Sequence, residues 1–248
     1  MMNPFSLEGK TILVTGASSG IGRATAVECS RAGATVLITG RNEGRLKETL
    51  ELMEGETHQI IVADLSDENS LSSLVEQCPV LDGLVNNAGS TLMVPTSFIS
   101  RDKLMKVLEV NTIAPILLTQ MLLKQKKLLK GSSIVFTDSI SGVKVASPGN
   151  VLYSTSKSAV DGFVKNAALD LAGKNIRVNA VCPGMIETHI LDNGNVSKED
   201  IANDLKKYPM KRYGKPEEVA YAIIYFLSDA SSFTTGASLV IDGGFTLA

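Results

Sequence analysis

The sequence predicts an α/β fold: a single domain with a doubly wound parallel sheet and helices on both faces. Three observations lead to this prediction. Short apolar runs alternate with longer helical patterns, the runs are continuously apolar, and no linker, repeat or low-complexity segment divides the 248 residues. Alternating strands and helices are typical of a parallel sheet, and continuously apolar strands are expected where helices cover both sheet faces.

Seven β-branched, apolar segments are predicted as strands, at 11–14, 35–39, 59–62, 83–85, 133–136, 177–181 and 238–241. Helical patterns lie near 20–32, 43–53, 67–77, 101–129, 150–172 and 215–228. The polar region 185–213, which includes Asn193-Gly194-Asn195, has no clear partner strand. Ligands bind at the carboxyl ends of the strands in such sheets, so we predict a mobile substrate lid there.

Composition excludes several classes of function. The chain is 44% apolar and 20% charged with a net charge of −2, so no basic excess indicates nucleic acid binding. We find neither a secretion signal nor an apolar run of about 20 residues that would cross a membrane. Cys29, Cys78 and Cys182 are scattered, and His58 and His189 are the only histidines. We therefore expect a cytoplasmic protein without a metal site or a histidine-based triad.

A glycine-rich loop follows the first predicted strand. Residues 15–22 read Thr-Gly-Ala-Ser-Ser-Gly-Ile-Gly and lead directly into a helix. The glycines would permit a tight turn, backbone approach to a pyrophosphate and close helix packing, while the helix N-terminus attracts the anion. A plain structural turn is the alternative, but the strand–loop–helix context favours dinucleotide binding. The predicted cofactor contacts in this loop are Gly16, Ser18, Ser19, Gly20 and Ile21.

The ends of the second and third strands bear on the choice of dinucleotide. Arg41 stands where an acidic residue would bind a ribose 2′-hydroxyl, and a guanidinium can pair with a 2′-phosphate. We therefore predict NADP(H) in preference to NAD(H), although Arg41 could also be a solvated residue that opens the next helix. Asp64-Leu65 follows the third strand. The carboxylate could meet the adenine, or it could cap the helix near 67–77.

Tyr153 and Lys157 lie four residues apart in a predicted helix. At this spacing both side chains leave the same helix face, about one turn apart. An ammonium beside a phenol stabilises the phenolate, so the phenol can exchange a proton with a carbonyl or an alcohol. Such a pair also arises by chance in helices, but here it follows a dinucleotide-type loop.

Together these motifs resemble the short-chain dehydrogenase/reductase family over nearly the whole chain. The matching motifs are Thr15-Gly-x-x-x-Gly20-x-Gly22, Asn86-Asn87-Ala88-Gly89, Asn111, Ser139, Tyr153-x-x-x-Lys157, Pro183-Gly184 and Asp242-Gly243-Gly244. The resemblance implies one Rossmann-type domain over residues 1–248, a seven-stranded parallel sheet and NAD(P)-linked interconversion of alcohols and ketones.

The resemblance also implies the catalytic roles. Tyr153 would protonate the substrate oxygen, and Lys157 would assist it and hold the nicotinamide ribose. Ser139 would hydrogen-bond the substrate carbonyl, and Asn111 would hold a water that links Lys157 to solvent. The family commonly has a pair of serines here, and Asp138 replaces the first of them. The family's catalytic serine usually lies thirteen residues before the tyrosine, whereas Ser139 lies fourteen before it and Ser141 twelve. We choose Ser139, which is nearer the strand, and keep Ser141 in reserve.

Further cofactor contacts follow from the same resemblance. The turn after the fourth strand would pack near the adenosine or only steady the sheet, and the segment after the sixth strand would lie along the nicotinamide. The residues concerned are Asn87, Ala88 and Gly89 in the first group and Pro183, Gly184, Ile186 and Thr188 in the second.

The sequence constrains the substrate and the oligomeric state less closely than it constrains the fold and the cofactor. The resemblance extends to 3-oxoacyl-[acyl carrier protein] reductases, and a basic patch near the active site could receive the acidic carrier. A solvated helix end is the alternative for that patch, which comprises Lys124, Lys126, Lys127, Lys130 and Lys174. An apolar lid (Met185, Ile186, Ile190, Leu191) suits an apolar or mixed substrate, and sugars, polyols, steroids and small ketones stay open. The long helices and the last strand resemble the family's homotetramer interfaces.

Three rival functions were weighed. Nucleotide-sugar epimerases are longer and space their glycines differently, and enoyl reductases of this fold separate the tyrosine and lysine more widely. A catalytically silent NADP(H) sensor is the third, and the complete set of Asn111, Ser139, Tyr153 and Lys157 argues against it.

Overall fold

Seven parallel strands form one sheet in the computed structural model, which describes residues 3–188 and 198–248. The strands are β1 (Thr11–Thr15), β2 (Thr35–Gly40), β3 (Gln59–Val62), β4 (Leu81–Asn86), β5 (Leu128–Thr137), β6 (Arg177–Pro183) and β7 (Ser238–Ile241). Their order in the sheet is β3-β2-β1-β4-β5-β6-β7, and every neighbouring pair is parallel. The predicted sheet is confirmed.

The helices are α1 (Gly20–Arg31), α2 (Glu43–Glu51), α3 (Glu68–Gln77), α4 (Arg101–Leu108), α5 (Ala114–Lys124), α6 (Val151–Ala172), α7 (Lys198–Leu205) and α8 (Pro216–Leu227). They cover both faces of the sheet. One core cluster joins the sheet to α3, α5 and α6 and includes Leu74, Leu118 and Val164. The other joins it to α1, α2 and α8 and includes Val27 and Ile223. Apolar side chains are therefore buried on both faces of the sheet, as a doubly wound fold requires.

The helix predicted over 101–129 is wrong in its last five residues. Helix α5 ends at Lys124, and Leu128 already begins β5. Lys126 has a φ of 57°, and the amide of Lys127 returns to the carbonyl of Leu122 at 2.8 Å. This left-handed turn ends the helix without the glycine or asparagine that normally marks one, so the sequence carries no signal for it.

The stretch Arg101–Lys124 differs from the predictions in two other ways. A π-helical turn, Glu109–Ile113, separates α4 from α5, so that the amide of Ala114 bonds to the carbonyl of Glu109. By length and composition alone this helical stretch could also cross a membrane, contrary to the expectation from the sequence. Because Leu118 and Leu122 are fully buried against the sheet, we interpret it as a core helix.

Helix α7 lies in the region predicted as a lid, where the sequence indicated no helix. The phenol of Tyr213 donates a hydrogen bond to Asp204 at 3.0 Å, and the ring of Tyr208 lies 4.8 Å from that of Phe245 near the C-terminus. The first contact lies within the described part of the lid region, and the second joins that part to the segment that follows β7. Residues 189–197, including Ile190, Leu191 and Asn193-Gly194-Asn195, lie outside the described residues.

Candidate active site

The glycine loop lies at the carboxyl end of β1, beside the end of β4. The sheet order reverses here, with β2 on one side of β1 and β4 on the other, which is where ligands bind in open α/β sheets. Gly16 and Gly20 have φ values of 66° and 54°. A Cβ on Gly16 would lie 2.8 Å from Ala88 Cα, and one on Gly22 would lie 2.2 Å from the carbonyl oxygen of Gly16. The loop therefore requires glycine at these positions.

Thr15 ties the glycine loop to the turn after β4. Its hydroxyl accepts hydrogen bonds from the amides of Asn87 (2.9 Å) and Ala88 (3.1 Å), and it donates to the carbonyl of Val85. The side-chain amide of Asn87 donates to the carbonyl of Thr15 at 3.1 Å. Asn87 and Ala88 thus brace the loop, in keeping with the structural role considered for them. Gly89 is the next residue in the turn and is exposed.

Ser19 is the N-cap of α1, yet its hydroxyl accepts no hydrogen bond from the first turn of that helix. The guanidinium of Arg23, by contrast, donates a hydrogen bond to the carbonyl of Ser18 at 2.9 Å and forms an ion pair with Glu48 at 2.8 Å. Ile21 packs against the core on the α1 face. Arg23 therefore holds the loop, while Ser19 faces no partner from its own helix.

Arg41 follows β2 and is exposed; within the described part of the chain it makes no hydrogen bond or ion pair. The hydroxyl and amide of Ser66 hydrogen-bond the carboxylate of Asp64 and, with a smaller contribution from Arg41, lower the pKa of Asp64. Leu65 is buried in the core. The alternative role of Asp64 as a helix cap is wrong, because Asp67 caps α3 by accepting from the amide of Ser70 at 2.7 Å.

The chain that leaves β6 returns to the glycine loop. The amide of Gly184, next to Pro183, bonds to the carbonyl of Ile241 at 2.9 Å. Ile186 is buried and bridges to Gly214. A Cβ on Gly20 would lie 3.1 Å from Thr188 Cγ2, so Thr188 stands directly over the loop. The predicted nicotinamide and phosphate segments are therefore neighbours in space.

Lys157 is buried at the carboxyl end of β5. Its ammonium donates to the carbonyl of Thr137 at 2.6 Å and lies 5.6 Å from the centre of the Tyr153 ring. Burial of an ammonium is costly unless it is hydrogen-bonded, so the Thr137 carbonyl helps to hold it here. The structure thus brings the predicted pair together beside the strand that leads to Ser139.

Ser139 and Ser141 follow β5 in a loop that packs on the start of α6. Ser139 is buried, and its hydroxyl accepts from the amide of Ser141 at 3.1 Å. The hydroxyl of Ser141 instead accepts from the side chain of Asn150 at 3.2 Å. A Cβ on Gly142 would lie 2.3 Å from the carbonyl oxygen of Ser154, so only glycine allows this approach. The contact sets the Ser139 loop beside the turn that carries Tyr153.

Asn111 is buried in the π-helical turn, where its side chain is largely satisfied. Its Nδ2 donates to the carbonyl of Ser90 at 2.8 Å and to Ser156 Oγ at 3.0 Å, and its Oδ1 accepts from the amide of Ser90. Ser156 Oγ in turn donates to the carbonyl of Tyr153 at 2.7 Å. Asn111 therefore links the turn after β4 to the helix that carries Tyr153.

The basic patch is not near the active site, and that prediction is wrong. Lys127 and Lys130 flank Leu128, the first residue of β5, whereas Ser139 lies beyond Thr137, its last. Lys174 lies at the same edge, between the end of α6 and the start of β6. Ten strand residues span roughly 30 Å. In addition, the ammonium of Lys127 donates a hydrogen bond to the carbonyl of Cys78 at 2.6 Å.

Three site residues were missed by the sequence reasoning. Ser90 and Ser156 hold Asn111, and Asp138 is a buried carboxyl that directly precedes Ser139. Ser156 was visible as the residue next to Lys157 in the helix, but its burial depends on the packing of α6. Asp138 stands where the family commonly has a serine, and that departure was the available signal.

Comparison with known proteins agrees with this geometry. The sequence model of a family described as Enoyl-(Acyl carrier protein) reductase matches residues 16–246. A 3-oxoacyl-[acyl-carrier-protein] reductase, FabG, of Thermotoga maritima is 36% identical, covering 97% of this chain and 99% of its own. Glucose 1-dehydrogenase 2 of Bacillus subtilis is also 36% identical, covering 97% and 96%.

A solved structure shares the whole fold. It is a putative 2-deoxy-d-gluconate 3-dehydrogenase from Agrobacterium tumefaciens with bound NADP. It superimposes with a TM-score of 0.90 at 31% identity and covers 100% of both chains. These relatives share a fold and differ in the substrates that their names give.

Proposed function

The chain belongs to the short-chain dehydrogenase/reductase family, whose members are oxidoreductases of alcohol and ketone groups, and on that premise we propose that it reduces a ketone to a secondary alcohol with NADP(H). The observation that carries the proposal is the placement of Lys157. Its ammonium is anchored on Thr137 and lies against the Tyr153 ring. A phenol beside a fixed cation can give up and take back a proton.

Each catalytic residue has a proposed role. Tyr153 donates the proton to the substrate oxygen, and Ser139 donates a hydrogen bond to the same oxygen. Lys157 stabilises the phenolate that remains and binds the nicotinamide ribose. Asn111 takes part in a water-mediated proton relay to Lys157. Because both N–H groups of its side chain are already bonded, such a water would bind its Oδ1 or its main chain.

The glycine loop is suited to NADP(H). Gly16 and Gly22 let the loop pack tightly against Ala88 and against its own backbone, the helix N-terminus attracts a pyrophosphate, and the Ser19 hydroxyl is not used by the helix. When bound, the nicotinamide supplies the hydride. The proposed contacts are Gly16, Ser18, Ser19, Gly20, Ile21, Asp64, Leu65, Asn87, Ala88, Gly89, Tyr153, Lys157, Pro183, Gly184, Ile186 and Thr188. Arg41 would select the 2′-phosphate, because it is exposed and forms no ion pair with any residue that the structure describes.

A 3-oxoacyl thioester is the proposed substrate class, on the strength of the FabG-named relative. With the basic patch at the opposite edge of the sheet, nothing described at the site favours a carrier protein over a smaller acyl thioester. The alternative is a sugar, a sugar acid or another small ketone, supported by the names of the glucose and gluconate dehydrogenases. The region 185–213 is proposed as the lid that selects between them. A silent NADP(H) sensor is the last alternative.

We also propose a cytoplasmic homotetramer. Strand β7 is an edge strand, and exposed apolar side chains such as Leu239 and Phe233 lie on it and just before it. Exposed strand edges and apolar patches favour association. The three cysteines are free thiols, as expected in a reducing compartment. Light scattering on the purified protein would test the assembly, and a monomer at micromolar concentration would contradict it.

The function is tested by NADPH and NADH fluorescence titrations, followed by NADPH oxidation with acetoacetyl thioesters, sugar ketones and small ketones. Thioester-dependent oxidation supports the 3-oxoacyl reductase proposal. Turnover confined to the other ketones keeps the chemistry and rejects that substrate. Binding without turnover of any ketone leaves the sensor.

A further inference from the structure

Asp138 is a buried carboxyl that has no part in the proposed mechanism. It is only 2% exposed, and its amide continues the β5–β6 pairing by bonding to the carbonyl of Val181 at 2.8 Å. Among the described residues its Oδ1 has no hydrogen-bond partner, and its Oδ2 accepts a long hydrogen bond from the thiol of Cys182, at 4.0 Å. The amide of Ser139 also acts on the carboxyl. A buried, poorly bonded carboxylate is costly. A buried carboxyl directly beside Ser139 is therefore a candidate for a role in the site.

The strand alternation directs Asp138 towards the catalytic helix. Phe136, two residues earlier, packs edge-on against Phe163 of α6 at 5.6 Å. Because side chains two residues apart share a face of a strand, Asp138 faces α6 as well. The residue between them is Thr137, whose carbonyl holds the ammonium of Lys157. Asp138 is thus adjacent to the anchor of the catalytic lysine.

Charged groups face Asp138 from the elements packed around it. Helix α6 contributes Lys157, Asp161 and Lys165, and β6 contributes the thiol of Cys182. Burial, with a contribution from Asp161, raises the pKa of Asp138 to about 7, while Lys157, the amide of Ser139 and Lys165 act in the opposite direction. The carboxyl therefore changes its charge close to neutral pH.

The surrounding groups are themselves paired. Asp161 accepts from Ser238 of β7 at 2.7 Å and forms an ion pair with Lys165. Burial raises the pKa of Cys182 to about 12, so this thiol stays neutral. Lys144, in the loop after β5, acts on Asp161 and Cys182. Among these groups Lys157 is the cation that opposes the rise for Asp138 most strongly, and its ammonium is anchored on the carbonyl of Thr137, the residue directly before Asp138.

We propose that Asp138 is a positioning residue that sets the charge around Tyr153 and Lys157. When Asp138 is ionised, its charge offsets that of the Lys157 ammonium and opposes formation of the Tyr153 phenolate. When Asp138 is protonated, the full charge of Lys157 favours the phenolate. The proposal rests on the proposed acid–base role of Tyr153, and it predicts that this chain couples proton transfer to pH through a residue outside the family's catalytic set.

The test begins with the protein free of cofactor and substrate. Ionisation of Tyr153 is followed in the tyrosinate ultraviolet band, as the difference between each protein and the same protein carrying Tyr153→Phe. Asp138→Asn removes the negative charge, so the Tyr153 midpoint should move to lower pH by about half a unit to one unit. Asp138→Ser, which restores the residue common in the family, should act in the same direction.

Asp170→Asn is the matched control, because Asp170 is an exposed carboxylate on the same helix. It should leave the Tyr153 midpoint unchanged. A shift in neither Asp138 variant beyond that of the control, or a shift to higher pH, would overturn the proposal. A shift without turnover of any ketone would retain the charge coupling and reject the proposed function, so the two failures are distinct.

The second readout is the pH profile of kcat/KM for NADP⁺-linked oxidation of the alcohol formed from the best ketone of the panel. The profile of Asp138→Asn should move to lower pH by the same amount as the ultraviolet midpoint, with a nearly unchanged affinity for NADP⁺. A uniform loss of rate at every pH would indicate a purely structural role and would contradict the proposal.

Discussion

The side-chain amide of Asn111 donates a hydrogen bond to Ser156 Oγ at 3.0 Å, in the interior of the protein. Ser156 Oγ in turn donates a hydrogen bond to the carbonyl of Tyr153. Asn111 also holds both backbone groups of Ser90. The π-helical turn thus positions one amide so that it joins the turn after β4 to the catalytic helix.

Replacement of Asn111 by alanine should therefore affect both stability and rate. The change removes one buried hydrogen bond, to Ser156, and two partly buried ones, to Ser90, which should cost about 2–4 kcal/mol and displace Tyr153. Thermal unfolding and kcat for the best ketone are the measurements. Asn166→Ala, which loses one exposed bond to the carbonyl of Gly162, is the control. Equal stability and rate in the two variants would show that Asn111 does not act as this link.

Replacement of Tyr153 by phenylalanine removes the proposed acid and keeps the ring. NADPH affinity should stay close to that of the unmodified protein, while kcat should fall by about 10²–10⁴-fold. Fluorescence titration and single-turnover kinetics separate the two effects. Retained turnover would exclude Tyr153 as the proton donor.

Arg41→Asp should reverse the preference for the dinucleotide. A carboxylate repels the 2′-phosphate and can accept a hydrogen bond from a 2′-hydroxyl, so NADPH affinity should fall at least about tenfold and NADH affinity should rise. The measurement is the ratio of the two dissociation constants. Lys174→Asp makes the same charge change at the opposite edge of the sheet and should leave the ratio unchanged. If both variants keep the original ratio, Arg41 is not the selector.

Gly22→Ala should disrupt the loop, because the new Cβ would lie 2.2 Å from the carbonyl oxygen of Gly16. We expect a loss of at least about 2 kcal/mol of stability and of measurable NADPH binding. Gly173→Ala is matched to it, since Gly173 has a helical φ of −62° and open space around it. That control should change stability by no more than about 1 kcal/mol. Normal binding by Gly22→Ala would refute the packing argument.

The buried Asp138 should make stability fall as pH rises. Burial raises its folded-state pKa from the ordinary 3.8 to about 7, so the folded protein holds a proton that the unfolded chain has released. This stabilisation is fully present below about pH 4 and is lost as pH rises through about 7. Asp138→Asn should therefore raise Tm relative to the unmodified protein at pH 8, and the gain should be smaller at pH 5, where part of the stabilisation is still present. Calorimetry at both pH values is the measurement, and a lower Tm for the variant at pH 8 would contradict the assignment.

Most of the fold could be predicted from local patterns. All seven strands and five of the six predicted helical segments lie where periodicity placed them, because burial of both sheet faces demands continuous apolar strands. The sixth segment, 101–129, covers α4 and α5 but runs on into β5. The errors have specific causes. Lys126 adopts a left-handed conformation, which a lysine in the sequence does not indicate. Helix α7 has too few apolar residues to be recognised as a helix in a polar region. The basic patch was misplaced although its lysines precede the predicted strands 133–136 and 177–181, because the amino ends of parallel strands lie at the edge of the sheet opposite the ligand site.

The sequence by itself determined the family, the glycine loop and the Tyr153–Lys157 pair, since these depend on residue types at short, fixed spacings. Only the tertiary structure decided how the pair is held and what surrounds it. Thr137 and Asp138 reach the pair from β5 and the residue after it, whereas Ser156 lies on the same helix as the pair and is bonded to Asn111. Their hydrogen bonding and burial arise from the packing of α6 on its neighbours. Charge and desolvation depend on such contacts between distant parts of the chain, so they become visible only when the sheet is assembled.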